Sequence, residues 1–178
     1  MIIVISGKAG SGKSTVAKLL ASKLRLRHYS IGDLMREMAK EKGLNLVELN
    51  KKAETDRSID DELDGKLKKL ASQDNFVIDG RLTAFFIPNA DVKIFLDAED
   101  EVRARRILQD KRLVEKGEDL KETLVNIELR ETSEKKRYKQ YYGADYHDKK
   151  QYDKVIDTTN KGVEEVVKEI IGFVSGKR

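Results

Sequence analysis

The chain has 178 residues, 36 Lys plus Arg against 32 Asp plus Glu, and no cysteine. That length fits one domain able to bury a core, and the missing thiols exclude disulfides and thiolate metal sites. A net charge of +4 and a pI near 9.0 suit an anionic partner, but acids interleave with bases throughout, so no basic stripe marks a nucleic-acid surface.

The chain opens on Met1-Ile-Ile-Val-Ile-Ser6, a β-branched run of the kind found in strands covered on both faces. It is too short for a secretory signal and has no positive leader. No stretch approaches the roughly 18 apolar residues of a membrane span, so a soluble, cytoplasmic protein is expected. A Gly-rich turn follows, then Val16, Leu19, Leu20 and Leu24 at helical spacing. Residues 31–72 read as charged helices broken at Gly43, with no strand among them. Phe76-Val-Ile78 and Val92-Lys-Ile-Phe-Leu96 read as buried strands, and Val155-Ile156 as a weaker one. Residues 110–150 are more polar still and poor in aliphatics after Leu129; this segment and 31–72 are both expected to bury little surface and to move against the core as two flaps. Val163, Val166, Val167, Ile170, Ile171 and Val174 trace the apolar stripe of a last helix. Strands alternating with helices predict an α/β fold, a parallel sheet of about five strands with helices on both faces.

Gly7-Lys8-Ala9-Gly10-Ser11-Gly12-Lys13-Ser14 satisfies G-x-x-x-x-G-K-[ST] and lies between a buried strand and a helix, where that phosphate-binding loop must lie. The glycines let successive N–H groups turn inward onto phosphate oxygens, and the helix start adds its positive end. Lys13 is expected on the β- and γ-phosphates of ATP, the Ser14 hydroxyl on Mg²⁺, and Thr15 near the α-phosphate. Phe76-Val-Ile-Asp79 is an apolar strand ending in a carboxylate, the Walker-B arrangement, which gives Asp79 a part in holding Mg²⁺.

Phosphate loops serve switches, motors and kinases. A guanine-reading N-K-x-D is missing, because Asn160-Lys161 is followed by Gly162 and Val163. Ser30-Ile-Gly32-Asp-Leu-Met-Arg36 resembles the segment that opens the monophosphate-binding flap of nucleoside monophosphate kinases. Asp79-Gly80-Arg81, followed by Pro88-Asn-Ala-Asp-Val-Lys-Ile-Phe-Leu-Asp97, is similar to a cytidylate kinase stretch. Arg130-Glu-x-Ser-Glu-x-x-Arg137-Tyr-x-x-x-Tyr-Gly-x-Asp145 resembles the lid of the short archaeal cytidylate kinases, and Tyr152-Asp-x-Val-Ile-Asp157-Thr their last strand. Leu82 stands where bacterial cytidylate kinases carry Asp, a departure that the short archaeal branch shares. The resemblance runs over nearly the whole chain. It implies a single P-loop kinase domain over 1–178, with core 1–30, 73–109 and 146–178, a monophosphate flap at 31–72 and a lid at 110–145. It further implies transfer of the ATP γ-phosphate to CMP or dCMP by a monomer that needs Mg²⁺ and no nucleic acid.

Phosphoryl transfer asks the protein for positioning and positive charge. The resemblance puts Ser30, Gly32, Arg36, Asp79, Gly80 and Arg81 around the acceptor, with Arg36 and Arg81 converging on its phosphate through guanidinium forks. Arg130 and Arg137 lie two helical turns apart on one face and, with Lys13, are the expected catalytic residues, swinging in with the lid. Arg103 and Arg106 are placed beside ATP at the lid hinge, Arg106 in contact with it. Cytosine offers an amine donor and a ring acceptor, for which Asp60 and Arg57 lie in the right flap. His28 and His147 have no ligand-spaced partner and read as structural. The rival readings are a P-loop kinase acting on AMP, UMP or a non-nucleotide alcohol, and an ATP-dependent RNA-binding or assembly factor.

Overall fold

A computed structural model describes residues 1–110 and 117–177. The first strand, β1 (Ile2–Gly7), is buried along its whole length, because neighbours flank it and helices cover both its faces. Its alternation feeds two cores. Ile3 and Ile5 pack with Val16, Leu20, Val166 and Ile170 on one face, whereas Ile2 and Val4 join Met38, Leu67 and Tyr146 on the other.

The first core is built by α1 (Lys13–Leu24) and by the last helix. After α1 comes β2 (Arg27–Ser30), a four-residue strand that sequence pattern does not reveal. Only Ser30 in it is buried; it is an edge strand, so its polar side chains stay wet and no period-2 signal is needed. Helices α2 (Ile31–Glu41), α3 (Leu46–Ala53) and α4 (Ser58–Ala71) occupy the predicted charged segment. A capping box starts α3: Asn45 Oδ1 accepts from Glu48 N at 2.9 Å, and Asn45 N donates to Glu48 Oε2 at 2.7 Å.

Strand β3 (Phe76–Asp79) leads to a short helix, α5 (Thr83–Phe86), then β4 (Val92–Asp97) and α6 (Asp100–Gln109). The expected lid begins at residue 110; its residues 111–116 lie outside the described residues. Its remainder is dominated by α7 (Leu120–Tyr142), capped by Asp119 and ended by Gly143 at φ 63°. The chain closes with β5 (Lys154–Asp157) and α8 (Val163–Gly176). All five strands are parallel, in the order β2-β3-β1-β4-β5. β2 and β3 thus lie on one side of β1 and β4 and β5 on the other, and the change of direction at β1 opens a crevice at the strands' carboxyl ends.

The second core holds α2–α5 with Tyr138, Tyr142 and Tyr146, so the tyrosines seat the end of α7 on the sheet. The apolar residues of 31–72, Met38 and Leu67 among them, are part of this core and overturn the expectation that the segment buries little surface. A third, small cluster of Ala9, Ala104, Ile107 and Ile127 joins α6 to the start of α7. Among the described residues no helix is long and apolar enough to cross a membrane.

Candidate active site

The turn after β1 is shaped by close approach. At Gly7 a Cβ would stand 2.3 Å from the Leu96 carbonyl oxygen, and at Gly10, with φ +74°, it would stand 2.5 Å from that of Arg103. The loop therefore lies directly on the neighbouring backbone, which no larger residue permits. Lys13 Nζ donates to the Lys8 carbonyl at 3.0 Å, curling over the loop, while Lys8 turns away to pair with Asp97.

Asp79, at the end of β3, is almost fully buried. Its Oδ2 accepts from Ser14 Oγ at 2.6 Å and from Ser30 Oγ at 3.3 Å. Its Oδ1 lies 2.8 Å from His28 Nε2. Thus the two residues expected to serve Mg²⁺ touch one another, and His28, read as merely structural, is joined to them. Strand pairing explains the miss: Ser30 sits opposite Asp79 on β2, with His28 two residues before it on the same face. Gly80 follows because a Cβ there would strike Ile31 at 2.6 Å.

A cavity of about 640 Å³ runs from the phosphate loop to α7. Ala9 to Thr15 line one end, and Arg106 with Thr158 flanks it. Ser30, Gly32, Arg36, Asp79 and Gly80 also line it, and Asp60, Arg81, Arg130, Glu134 and Arg137 gather at the α7 end, where Glu134 joins Arg81 to Arg130. Gly7, Lys8, Arg57 and Arg103 stand outside the lining.

Arg57 is exposed, paired with Asp61 at 3.4 Å and stacked 5.6 Å over the Tyr141 ring. It precedes α4 on the outer side, where solvent and α7 satisfy its charge, so it does not join Asp60. Arg103 is buried; it donates to the Ala9 carbonyl at 3.1 Å, to Glu131 at 2.6 Å and to Asp100 at 2.7 Å. It ties the phosphate loop to the middle of α7 and stands outside the cavity lining. Arg106 grips Thr158 through its carbonyl at 2.7 Å and its hydroxyl at 3.0 Å.

The far end is a cluster of opposed charges. Glu134, 7% exposed, sits between Arg81 Nε at 2.7 Å and Arg130 Nε at 2.8 Å. Burial alone would raise its carboxyl, but Arg81 and Arg130 outweigh that and hold it below the usual carboxylate range. Arg137 adds to the same field and lies 5.2 Å over the Tyr138 ring. Arg36, half-exposed at the mouth, pairs with Asp33 one turn earlier. Asp60 is 5% exposed, and its Oδ2 has no hydrogen-bond partner among the described residues; nor has the buried Nε of Arg137. Burial raises the Asp60 carboxyl, against the pull of Arg137 and a hydrogen bond from Tyr142. Glu134 was not singled out from sequence. The available signal was its place in the Arg130–Arg137 stretch, one turn from each arginine on the same helix face.

Helix α7 also rests on the flap. Ser133 Oγ donates to Glu54 Oε1 at 2.9 Å, and Tyr142 OH donates to Asp64 Oδ1 at 3.1 Å. The helix thus roofs the cavity and brings its arginines over the wall that carries Arg81.

The model of the cytidylate kinase-like family matches residues 2–160 of this chain. The "Cytidylate kinase" of Methanocaldococcus jannaschii is 43% identical over 170 residues, 93% of each chain. That of Pyrococcus horikoshii is 40% identical over 174 residues, 96% of this chain and 88% of the other. Among solved structures, a shikimate kinase from Bacteroides thetaiotaomicron superposes with a TM-score of 0.70 at 18% identity, covering 98% of both chains. That likeness, with the parallel five-stranded sheet, makes the fold an α/β P-loop kinase fold.

Proposed function

The chain belongs to the cytidylate kinase-like family, and from that premise we propose that it transfers the γ-phosphate of ATP to CMP or dCMP, yielding ADP and the nucleoside diphosphate. The observation that carries this reading is one cavity with a phosphate loop at one end and guanidiniums from separate walls, Arg81 and Arg130 with Arg137, at the other. Two phosphorylated nucleotides laid end to end need that charge to meet without repulsion.

The acceptor's phosphate oxygen is ionised at neutral pH, since its second pKa is about 6, so no general base is required. That oxygen bonds to the γ-phosphorus as the bond to the ADP oxygen breaks, with the transferring oxygens in the field of the arginines. In this reading the loop from Gly7 to Thr15 cradles the ATP phosphates, Lys13 neutralises the β- and γ-oxygens, and Arg106 borders the nucleotide. Arg36 and Arg81 hold the acceptor phosphate, and Arg130 and Arg137 stabilise the transition state.

Asp60 reads cytosine from the end of the cavity, its buried Oδ2 accepting from the exocyclic amine. The Ser14 hydroxyl and the Asp79 carboxylate, 2.6 Å apart, are hard oxygen donors that fit Mg²⁺. These two residues would hold the ion, which would supply charge neutralisation to the nucleotide phosphates. Residues 31–72 act as the acceptor flap and α7 as the lid, excluding water that would otherwise take the γ-phosphate. The enzyme works as a cytoplasmic monomer on a free nucleotide.

The test is ADP formation from ATP with Mg²⁺ and, in turn, CMP, dCMP, UMP, AMP, GMP or no acceptor. Turnover with CMP or dCMP far above the rest is expected. Fast turnover with AMP overturns the acceptor, and slow turnover indifferent to every acceptor overturns the kinase reading.

A further inference from the structure

Glu134 is a carboxylate inside a cavity whose other charges suit anions. A carboxylate there opposes phosphate binding unless it does something else, so its geometry asks for a reason. Its two oxygens are divided: Oε2 meets Arg81 Nε at 2.7 Å and Oε1 meets Arg130 Nε at 2.8 Å. Arg81 stands just past β3, on the rigid sheet edge. Arg130 rides on α7, the roof of the cavity, four residues before Glu134. The carboxylate therefore bridges wall and roof, and it is buried, where such a contact is least screened by solvent.

Arg130 Nε donates to Oε1, a bond that fixes the plane and heading of that fork from its root, whereas bidentate recognition of a phosphate can run through the outer nitrogens. Arg81 Nε stands against Oε2 as an ion pair without hydrogen-bond alignment, so the carboxylate sets the place of that guanidinium by charge. Burying an unpaired carboxylate is costly, and here the cost is met by two arginines that the reaction needs in fixed positions. On the reading given above, we infer that Glu134 is a positioning residue, setting the spacing of Arg81 and Arg130 and the heading of Arg130 so that acceptor phosphate and transferring phosphoryl group meet in line. It touches neither substrate; it acts through the arginines.

A positioning role leaves a kinetic signature that a packing role does not. Glu134→Gln keeps shape and burial and removes the charge. Through Arg81 it should raise KM for CMP, through Arg130 it should lower kcat, and KM for ATP should stay within twofold, because the phosphate loop has its own strut, Arg103 to Ala9 and Glu131, which the substitution leaves in place. A misplacement of catalytic groups by about 1 Å costs roughly 100-fold, so kcat/KM for CMP should fall by about 10- to 100-fold. If Glu134 merely supported the fold, a smaller active fraction would lower kcat with both KM values unchanged.

The decisive comparison adds the substitution to Arg130→Ala. With one of its two clients gone, Glu134→Gln should cost at least several-fold less in kcat than it does in the wild type. Melting curves of all four proteins separate folding from positioning. The inference is overturned if Glu134→Gln leaves kcat/KM within threefold, if its cost in kcat is the same with and without Arg130, or if both KM values hold while the melting temperature drops. Ratios to the parent protein are taken on whichever acceptor the wild type uses best. A wrong acceptor assignment thus shows in the wild-type panel, and a wrong role for Glu134 shows in the ratios.

Discussion

At the phosphate-loop end of the cavity the lining comes mainly from one run, residues 9–15, whose backbone N–H groups are what such a loop offers a phosphate. At the other end it is made of side chains drawn from α4, from the turn after β3 and from α7, parts of the chain up to 77 residues apart (Asp60 to Arg137). The first end is local and stiff: its glycines lie against the Leu96 and Arg103 backbone. The second depends on where α7 lies, which its tyrosines in the second core, Arg103–Glu131, Ser133–Glu54 and Tyr142–Asp64 fix together. A cradle of backbone amides tolerates almost any side chain outside its motif but no movement of its own. A cluster of guanidiniums on long side chains can re-aim, but depends on charge at each position.

The largest expected effect breaks the arginine end. Arg130→Ala should lower kcat with the preferred acceptor by about 10³-fold while leaving KM for ATP nearly unchanged, the pattern of a group felt in the transition state. Steady-state rates at saturating ATP check this. A loss below tenfold would place the transition-state charge elsewhere.

Next in size is Asp60→Asn, which sharpens the same end. An amide offers the cytosine amine a weaker acceptor and can turn a donor toward the uracil O4. The ratio of kcat/KM for UMP to that for CMP should therefore rise by the equivalent of about 1–3 kcal/mol, read by competition between the two acceptors. Burial raises the Asp60 carboxyl, and its ionised form is the one that accepts from the amine. Activity with CMP should thus climb as pH rises through that raised pKa, and the climb should vanish in the Asn variant. The stability sign runs the other way. A carboxyl whose pKa is raised by folding favours the folded state at low pH, and that contribution is lost as pH rises through the folded value.

A smaller effect tests the rigidity of the loop end. Ala at Gly10 or Gly12 meets a positive φ, which costs about 1–2 kcal/mol. At Gly10 its Cβ also strikes the Arg103 carbonyl, whereas at Gly12 nothing lies within 4 Å. Gly10→Ala should therefore melt lower and bind ATP more weakly than Gly12→Ala, as thermal melts with and without ATP would show. The reverse order would mean that the loop is not pinned by its neighbour.

The smallest is Tyr142→Phe, which removes the hydrogen bond to Asp64 at 3.1 Å and keeps the ring against Phe86 at 5.2 Å. A loss of about 1 kcal/mol in unfolding free energy is expected, with a modest rise in KM for the acceptor. Denaturant titration and acceptor kinetics read the two parts.

The sequence by itself determined the parts whose information is local. The buried run at Ile2–Gly7, the phosphate loop, the strand ending in Asp79 and the stripe of α8 each announce themselves within a dozen residues, because strand period, helix period and turn chemistry are short-range. Family resemblance extended that reading to Arg36, Arg81, Arg130 and Arg137. Tertiary structure alone decided who meets whom. It formed β2 from Arg27–Ser30, four mostly polar residues that become a strand only because an edge partner, β3, is there to pair. That pairing carried His28 to Asp79. It left Arg57 on the outer surface, where solvent and Asp61 satisfy it, and kept Arg103 as a strut beneath the loop. Above all it set Glu134 between two arginines. A carboxylate on a charged helix looks like any other in one dimension; its meaning depends on burial and on charges brought from elsewhere in the chain, which sequence spacing does not encode.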